Sequence, residues 1–164
     1  MGIIDRFIQE NKKFVDKFRH GDKAMPPAQH LAVLTCMDAR LHPEKALGLE
    51  IGDAHMIRNA GGRASEDAIR SLVISTTLLG TQEFAVIHHT DCGMLTFTND
   101  DLRKKLAEER GADASGIDFL PFPDLEQSVR DDVATIKASP LLPDGTEVTG
   151  WIYDVKTGTI SPVS

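Results

Sequence analysis

No apolar run in the sequence approaches the roughly 18 residues that a membrane span needs. Positive charge is not in excess either: the net charge of -7 argues against nucleic acid or an anionic membrane surface as a partner. The N-terminus lacks the apolar core of a signal peptide, and Asp5, Glu10 and Asp16 stand where a mitochondrial transit segment avoids acid. The expected compartment is therefore the cytoplasm. Internal repeats and low-complexity stretches are absent. Cysteine is scarce, with Cys36 and Cys92 the only two. In a cytoplasmic chain, two cysteines are more often ligands or nucleophiles than a disulfide. They form no Cys-x-x-Cys pair, which leaves a thiol redox role weak.

What is present is ordinary in bulk: 164 residues, 41% hydrophobic and 26% charged. That describes a single soluble domain over 1–164, long enough to bury a core. Residues 1–20 carry Ile3, Ile4, Phe7, Ile8, Phe14, Val15 and Phe18 at helical spacing. Such a helix packs on its own domain or reaches across to a second subunit, and amphipathicity alone does not choose. Leu31 to Thr35 is a continuous apolar run, as in a strand buried on both faces of a parallel sheet. His42-Pro43 opens a short helix to Leu47, and Ala54 to Arg58 reads as a second strand.

The Asn59-Ala60-Gly61-Gly62 loop follows, and Ser65-Glu66-Asp67 caps a helix running to Leu79 and Gly80. Glu83 to His89 is a third strand. Thr98-Asn99-Asp100 opens a helix to Arg110, and Gly111 stops it. The segment 116–123 is a proline-bearing loop, and Asp124 to Ala138 is an amphipathic helix. The tail from Glu147 reads as a strand, a turn and a short returning segment. Strands alternating with helices predict an α/β domain with a mainly parallel sheet. Ligands of such sheets sit beyond the carboxyl ends of the strands.

Both cysteines stand where a strand gives way to a loop. Cys36 opens Cys36-Met37-Asp38-Ala39-Arg40, and Cys92 closes His89-Thr90-Asp91-Cys92. Two thiolates and an imidazole are zinc ligands, and a catalytic site keeps three protein ligands with one open corner. Cys36, His89 and Cys92 would make a neutral zinc site whose bound water ionises far more readily than bulk water. His88 competes with His89, and the spacing to Cys92 favours His89. Asp38 and Arg40 suggest a carboxylate held by a guanidinium. The carboxylate would either orient zinc-bound hydroxide or swing onto the zinc and close the site. Thr90 and Asp91 shape the loop between ligands, with Gly93 easing its turn. The Asn59 to Gly62 loop lacks the lysine and spacing of a phosphate-binding loop, and its expected role is to bring backbone amides near the metal pocket.

The Cys36-Met-Asp38-Ala-Arg40 run, the Arg58-Asn59-Ala60-Gly61 loop and the His89-Thr-Asp-Cys92-Gly93 run together resemble the β-class carbonic anhydrases. The likeness is to the short branch found in archaea and many bacteria, which also includes carbonyl sulfide hydrolases. It implies one zinc ion per chain on Cys36, His89 and Cys92, with Asp38 and Arg40 as the catalytic pair. It also implies a four-stranded parallel core extended by an antiparallel C-terminal strand. A helical arm over 1–24 would embrace a partner in a homodimer or homotetramer. Asn59, Ala60, Gly61 and Gly93 are the candidate pocket residues. The plant-like branch lines its pocket with aromatic and glutamine side chains, and here aromatics are only one Trp, one Tyr and seven Phe.

The expected reaction is attack of zinc-bound hydroxide on a small linear molecule, with carbon dioxide giving bicarbonate. The alternative substrate is carbonyl sulfide or carbon disulfide, hydrolysed to carbon dioxide and hydrogen sulfide. From a different class comes a structural-zinc binding module with Asp38 as a permanent fourth ligand.

Overall fold

The structure is a computed structural model and describes residues 2–164. Five strands form one sheet: β1 (Leu31–Cys36), β2 (Ala54–Asn59), β3 (Glu83–His89), β4 (Glu147–Tyr153) and β5 (Ile160–Val163). Their order is β2-β1-β3-β4-β5. The first four run parallel and β5 returns antiparallel to β4. β1 lies inside the sheet, and Ala32 to Cys36 are all buried, which is why its sequence is apolar without alternation. The parallel core with one antiparallel edge strand is the architecture the sequence predicts.

Among the described residues, five α-helices connect and flank the strands: α1 (Asp5–Val15), α2 (Pro43–Leu47), α3 (Glu66–Leu79), α4 (Asn99–Arg110) and α5 (Leu125–Lys137). Ser65 caps α3 by accepting from the Ala68 amide at 3.3 Å. Thr98 and Asp101 cap α4 reciprocally, each side chain bonding the other's backbone amide. The core joins Ala32, Leu34, Phe84, Val86 and Val148 of the strands to Ala68 and Leu72 of α3 and Ile136 of α5. Leu72 is wholly buried there, so truncating it to Ala costs about 2–5 kcal/mol.

Two glycines let backbone and helix come close. A Cβ at Gly62 would stand 2.9 Å from the Thr35 backbone, and Gly62 also has φ +68, so a side chain there is excluded twice. A Cβ at Gly150 would stand 2.5 Å from Val129, where α5 crosses β4.

α1 differs from the other long helices. It is shorter than the 1–20 reading: beyond Val15 the chain tightens into turns, with the Lys17 and Phe18 amides bonding back three residues to Phe14 and Val15. Met1 falls outside the described residues. Every residue of α1 is exposed, whereas α4, which also buries no residue fully, is half-buried at Asn99, Leu102, Arg103 and Leu106. No helix among the described residues is long and apolar enough to cross a membrane.

Candidate metal centre

The sheet order reverses at β1: the chain lays β2 on one side of it and β3 on the other. Thr35 pairs with Ile87 in the register, so the carboxyl ends of β1 and β3 are adjacent. A crevice at such a point is where open α/β sheets place their ligands. Cys36 ends β1, His89 ends β3, and Cys92 follows after a two-residue loop. All three are buried, and their ligand atoms lie within 4.8 Å of one another. Tetrahedral zinc, with bonds of about 2.0–2.3 Å, sets neighbouring ligand atoms roughly 3.5–4 Å apart. The cluster has the size and the donor chemistry for that ion.

His89 supplies an independent check. Its Nδ1 donates to the Thr90 carbonyl at 2.8 Å, and a carbonyl can only accept, so the proton sits on Nδ1. Nε2 is then a buried acceptor, and it has no hydrogen-bond partner. An orphaned buried nitrogen facing two thiols is the observation that a bound cation explains. Charge points the same way. The Cys92 thiol beside it is the main influence holding Cys36 well below the usual thiol range; burial opposes this, while His89 and the backbone at Asp38 and Gly61 assist. The same contact, with burial, pushes Cys92 up. Burial pulls His89 down, but Cys36 and the Thr90 carbonyl more than offset it and raise its affinity for positive charge. Cys36 does this without completing a hydrogen bond to Nε2.

Asp38 stands next to this cluster, its Oδ2 3.8 Å from His89 Nε2. Arg40 grips it through two donors, Nε to Oδ1 at 3.0 Å and Nη2 to Oδ2 at 2.8 Å. These bonds hold the Asp38 carboxyl far below the usual carboxylate range, so it is ionised at neutral pH. Arg58 braces the loop from below, donating to the carbonyls of Cys36 at 3.0 Å and Asp38 at 2.8 Å.

With that geometry in view, comparisons with known proteins converge. Residues 31–118 match the family model described as carbonic anhydrase. β-Carbonic anhydrase 1 of Mycobacterium tuberculosis is 40% identical, covering 100% of this chain and 99% of the relative. This chain belongs to the β-carbonic anhydrase family. A carbon disulfide hydrolase of Saccharolobus solfataricus is 36% identical over 94% of the chain and 88% of the relative. The crystal structure of a carbonic anhydrase from Streptococcus mutans superposes with a TM-score of 0.93 at 51% identity, covering 100% of this chain and 99% of that one.

The remaining sequence candidates fall into place around the β-carbonic anhydrase site in different ways. Asn59 is a brace: its side chain bonds both the amide and the carbonyl of Arg63 at 2.8 Å, and its own carbonyl receives the Met37 amide at 2.8 Å. Ala60 is exposed, while Gly61 is buried with Met94 close enough to meet a Cβ at 2.9 Å. Gly93 is exposed, and a Cβ there would meet nothing within 4 Å. The strained residue of that turn is Asp91, at φ 54, not Gly93. His88 points into the core, bonding Ser128 at 2.7 Å and the Gly62 carbonyl at 3.1 Å. His55 bonds Ser75, and His42 lies outside beside Glu44.

Two features have no local signal in the sequence. Asp91 accepts twice from Arg40, at 2.7 Å through its carboxylate and 2.8 Å through its carbonyl. Arg63 and Asp132 form a buried bidentate pair at 2.8 and 3.1 Å, with His88 3.1 Å from the same carboxylate. Arg63 also holds the Leu120 carbonyl at 2.6 Å and lies over Phe122, whose ring stacks on His88. Phe122 belongs to the apolar shell of Cys36, Leu41, Cys92 and Met94.

Proposed function

We propose that the chain catalyses the reversible hydration of carbon dioxide to bicarbonate, with one zinc ion held by Cys36, His89 and Cys92. The observation that carries this reading is the meeting of three buried ligand atoms, one of them orphaned, with an ionised carboxylate beside them. When bound, zinc supplies an open coordination position at which water ionises near neutral pH, its pKa falling from about 15.7 towards about 7. Asp38 accepts a hydrogen bond from the attacking oxygen, which leaves a lone pair of that oxygen facing the substrate carbon. Arg40 keeps Asp38 charged and aimed. The backbone at Asn59, Ala60, Gly61 and Gly93 borders the substrate space, and the apolar shell of Leu41, Met94 and Phe122 suits an uncharged molecule. One oxygen–carbon bond forms as one carbon–oxygen π bond of carbon dioxide opens onto its oxygen, one proton leaves to buffer, and bicarbonate departs.

A second reading is favoured by the carbon disulfide hydrolase relative. The same residues would serve attack on carbonyl sulfide or carbon disulfide, giving carbon dioxide and hydrogen sulfide. Both substrate classes are linear and nearly apolar, so pocket width selects between them and charge does not. Carbon dioxide hydration and carbonyl sulfide hydrolysis, assayed side by side on one zinc-quantified preparation, decide the matter. Turnover of carbon dioxide is the expected result. A metal-free preparation with full activity overturns the zinc assignment. A zinc-loaded protein that turns over neither substrate and resists binding by small anions supports the structural-zinc module.

The exposed apolar ridge of α1, including Phe7 at 57% and Ile8 at 69% exposure, supports an arm over 1–24 that covers a second copy in a homodimer or homotetramer. The whole of 1–164, arm included, is then a single domain. Free thiol ligands fit the cytoplasm, where cysteines stay reduced.

A further inference from the structure

We infer that Asp91 is a positioning residue: by sharing Arg40 it keeps the Asp38 carboxylate off the metal, so that the fourth coordination position stays open. The inference rests on the metal-centre reading above and concerns how the site is kept available. A carboxylate oxygen 3.8 Å from a metal-ligating nitrogen is itself a fourth ligand unless something holds it back. Arg40 is what holds it, and Arg40 is an exposed side chain on the same short loop as Asp38. With Asp38 alone as partner, the guanidinium would be free to follow the carboxylate towards the cluster.

Asp91 prevents this from the other metal loop. Nη1 of Arg40 donates to Asp91 Oδ2 at 2.7 Å, while Nη2 is shared between Asp38 Oδ2 and the Asp91 carbonyl, both at 2.8 Å. The fork is thus fixed at both ends, with one anchor on the Cys36 loop and one on the His89–Cys92 loop. Rigid bidentate geometry is what distinguishes such a clamp from a point charge. The backbone carries the mark of this arrangement. Asp91 is one of only three non-glycine residues at positive φ among the described residues. The turn at φ 54 brings both its carboxylate and its carbonyl onto Arg40. Strain of this kind persists where the surroundings over-determine it. Thr90 pins the same turn from its other side, its amide bonding the Tyr153 carbonyl at 2.9 Å and its hydroxyl accepting the Val155 amide at 3.0 Å.

The bland reading is a surface ion pair, since the Asp91 side chain is 72% exposed and exposed pairs contribute little stability. The two readings differ in what happens to the open position. Wild type, Asp91→Ala, Asp91→Asn and Asp38→Ala/Asp91→Ala are loaded with cobalt(II), and thiocyanate is titrated against the cobalt visible absorption. Asp91→Ala is expected to bind thiocyanate about three- to tenfold more weakly, because the released Arg40 lets Asp38 compete for the metal. Deleting a nearby negative charge would by itself strengthen anion binding, so the sign of the change is diagnostic. Asp91→Asn keeps an oxygen acceptor for Arg40 and falls between the two. The double variant, with no carboxylate left to close the site, recovers wild-type affinity or better, which a distorted loop would not do. Unchanged or tighter thiocyanate binding in Asp91→Ala, or a double variant as weak as the single, overturns this inference alone. A wild type that shows no thiolate-to-cobalt absorption overturns the metal reading and this inference with it.

Discussion

The metal end of the sheet and the N-terminal helix are opposite solutions to the same problem of covering side chains. At the metal end, the polar groups around the cluster are tied down: Arg58 to the Cys36 and Asp38 carbonyls, Arg40 to both metal loops, Arg63 to Asp132 and Leu120. One atom there is left without a partner, His89 Nε2, and it faces the two thiols. α1 has the reverse character. Its polar side is ordinary solvated charge, and its apolar side, Phe7, Ile8 and Phe14 with Ile4 just ahead of the helix, is uncovered. One region offers a few buried donor atoms and the other a broad apolar ridge. A cluster of donors suits an ion held by a few strong contacts, and a ridge suits a surface held by many weak ones.

If that contrast is right, damage at the metal end is severe and local. Cys36→Ser replaces a thiolate with a poor zinc ligand and is expected to lower metal affinity by at least about a hundredfold and abolish turnover; zinc quantified per chain after desalting tests it. A variant that retains a full complement of zinc removes Cys36 from the ligand set. Asp38→Ala is next in size. It should keep the metal and lose about 10²- to 10³-fold in kcat, because it removes only the acceptor that orients the attacking oxygen. An undiminished rate would end its proposed role.

These two predictions concern residues whose chemistry is legible without a structure, and the reason is local. Cys36, His89 and Cys92 stand at strand ends, and strands announce themselves by uninterrupted apolar runs such as Leu31 to Thr35. Capping is equally local: Ser65 and Thr98 sit where a side chain must satisfy the first amides of a helix, and both do so. Arg63 and Asp132 are different. They are separated by 69 positions, and each looks like any charged residue of a loop or a helix. Only the crossing of α5 over the sheet brings them together, and no periodicity encodes a partner. The segment from Gly111 to Pro123 is opaque for the same reason. Phe122 matters because it stacks on His88, and a lone Phe between two prolines carries no sign of that.

The buried pair tests how far the self-sufficiency of the metal end extends. Asp132→Ala leaves the Arg63 guanidinium, 12% exposed, without its counter-charge, and should cost about 3–5 kcal/mol of unfolding free energy. The pH dependence follows from the state of the carboxyl. Burial is the largest single influence and pushes it up, but the hydrogen bonds from His88 and Arg63 outweigh burial and hold it below the ordinary value. A depressed carboxyl stabilises fully above its unfolded pKa of about 3.9, and that stabilisation is lost as pH falls through the lower folded value. Urea unfolding of the two proteins should therefore show a constant gap at neutral pH that narrows below about pH 4. A gap that is flat across this range would mean that the charge of Asp132 contributes nothing beyond its packing.

The smallest effect on the chain's own fold is expected where the apolar surface is greatest. Ile4→Ser with Phe7→Ser removes two side chains that belong to neither apolar core cluster: Ile4, just before α1, is 66% exposed and Phe7 57%. At concentrations where both proteins are monomeric, stability should change by no more than about 0.5 kcal/mol and zinc content not at all. Assembly is another matter. If the ridge covers a second copy, losing two large side chains uncovers apolar area at about 25 cal/mol per Å² on each arm, twice per dimer. Light scattering across a dilution series should then show the variant as a monomer where wild type is still a dimer or tetramer. Equal masses at every concentration would mean that α1 meets no partner, and the contrast between a region suited to an ion and a region suited to a surface would lose its second half.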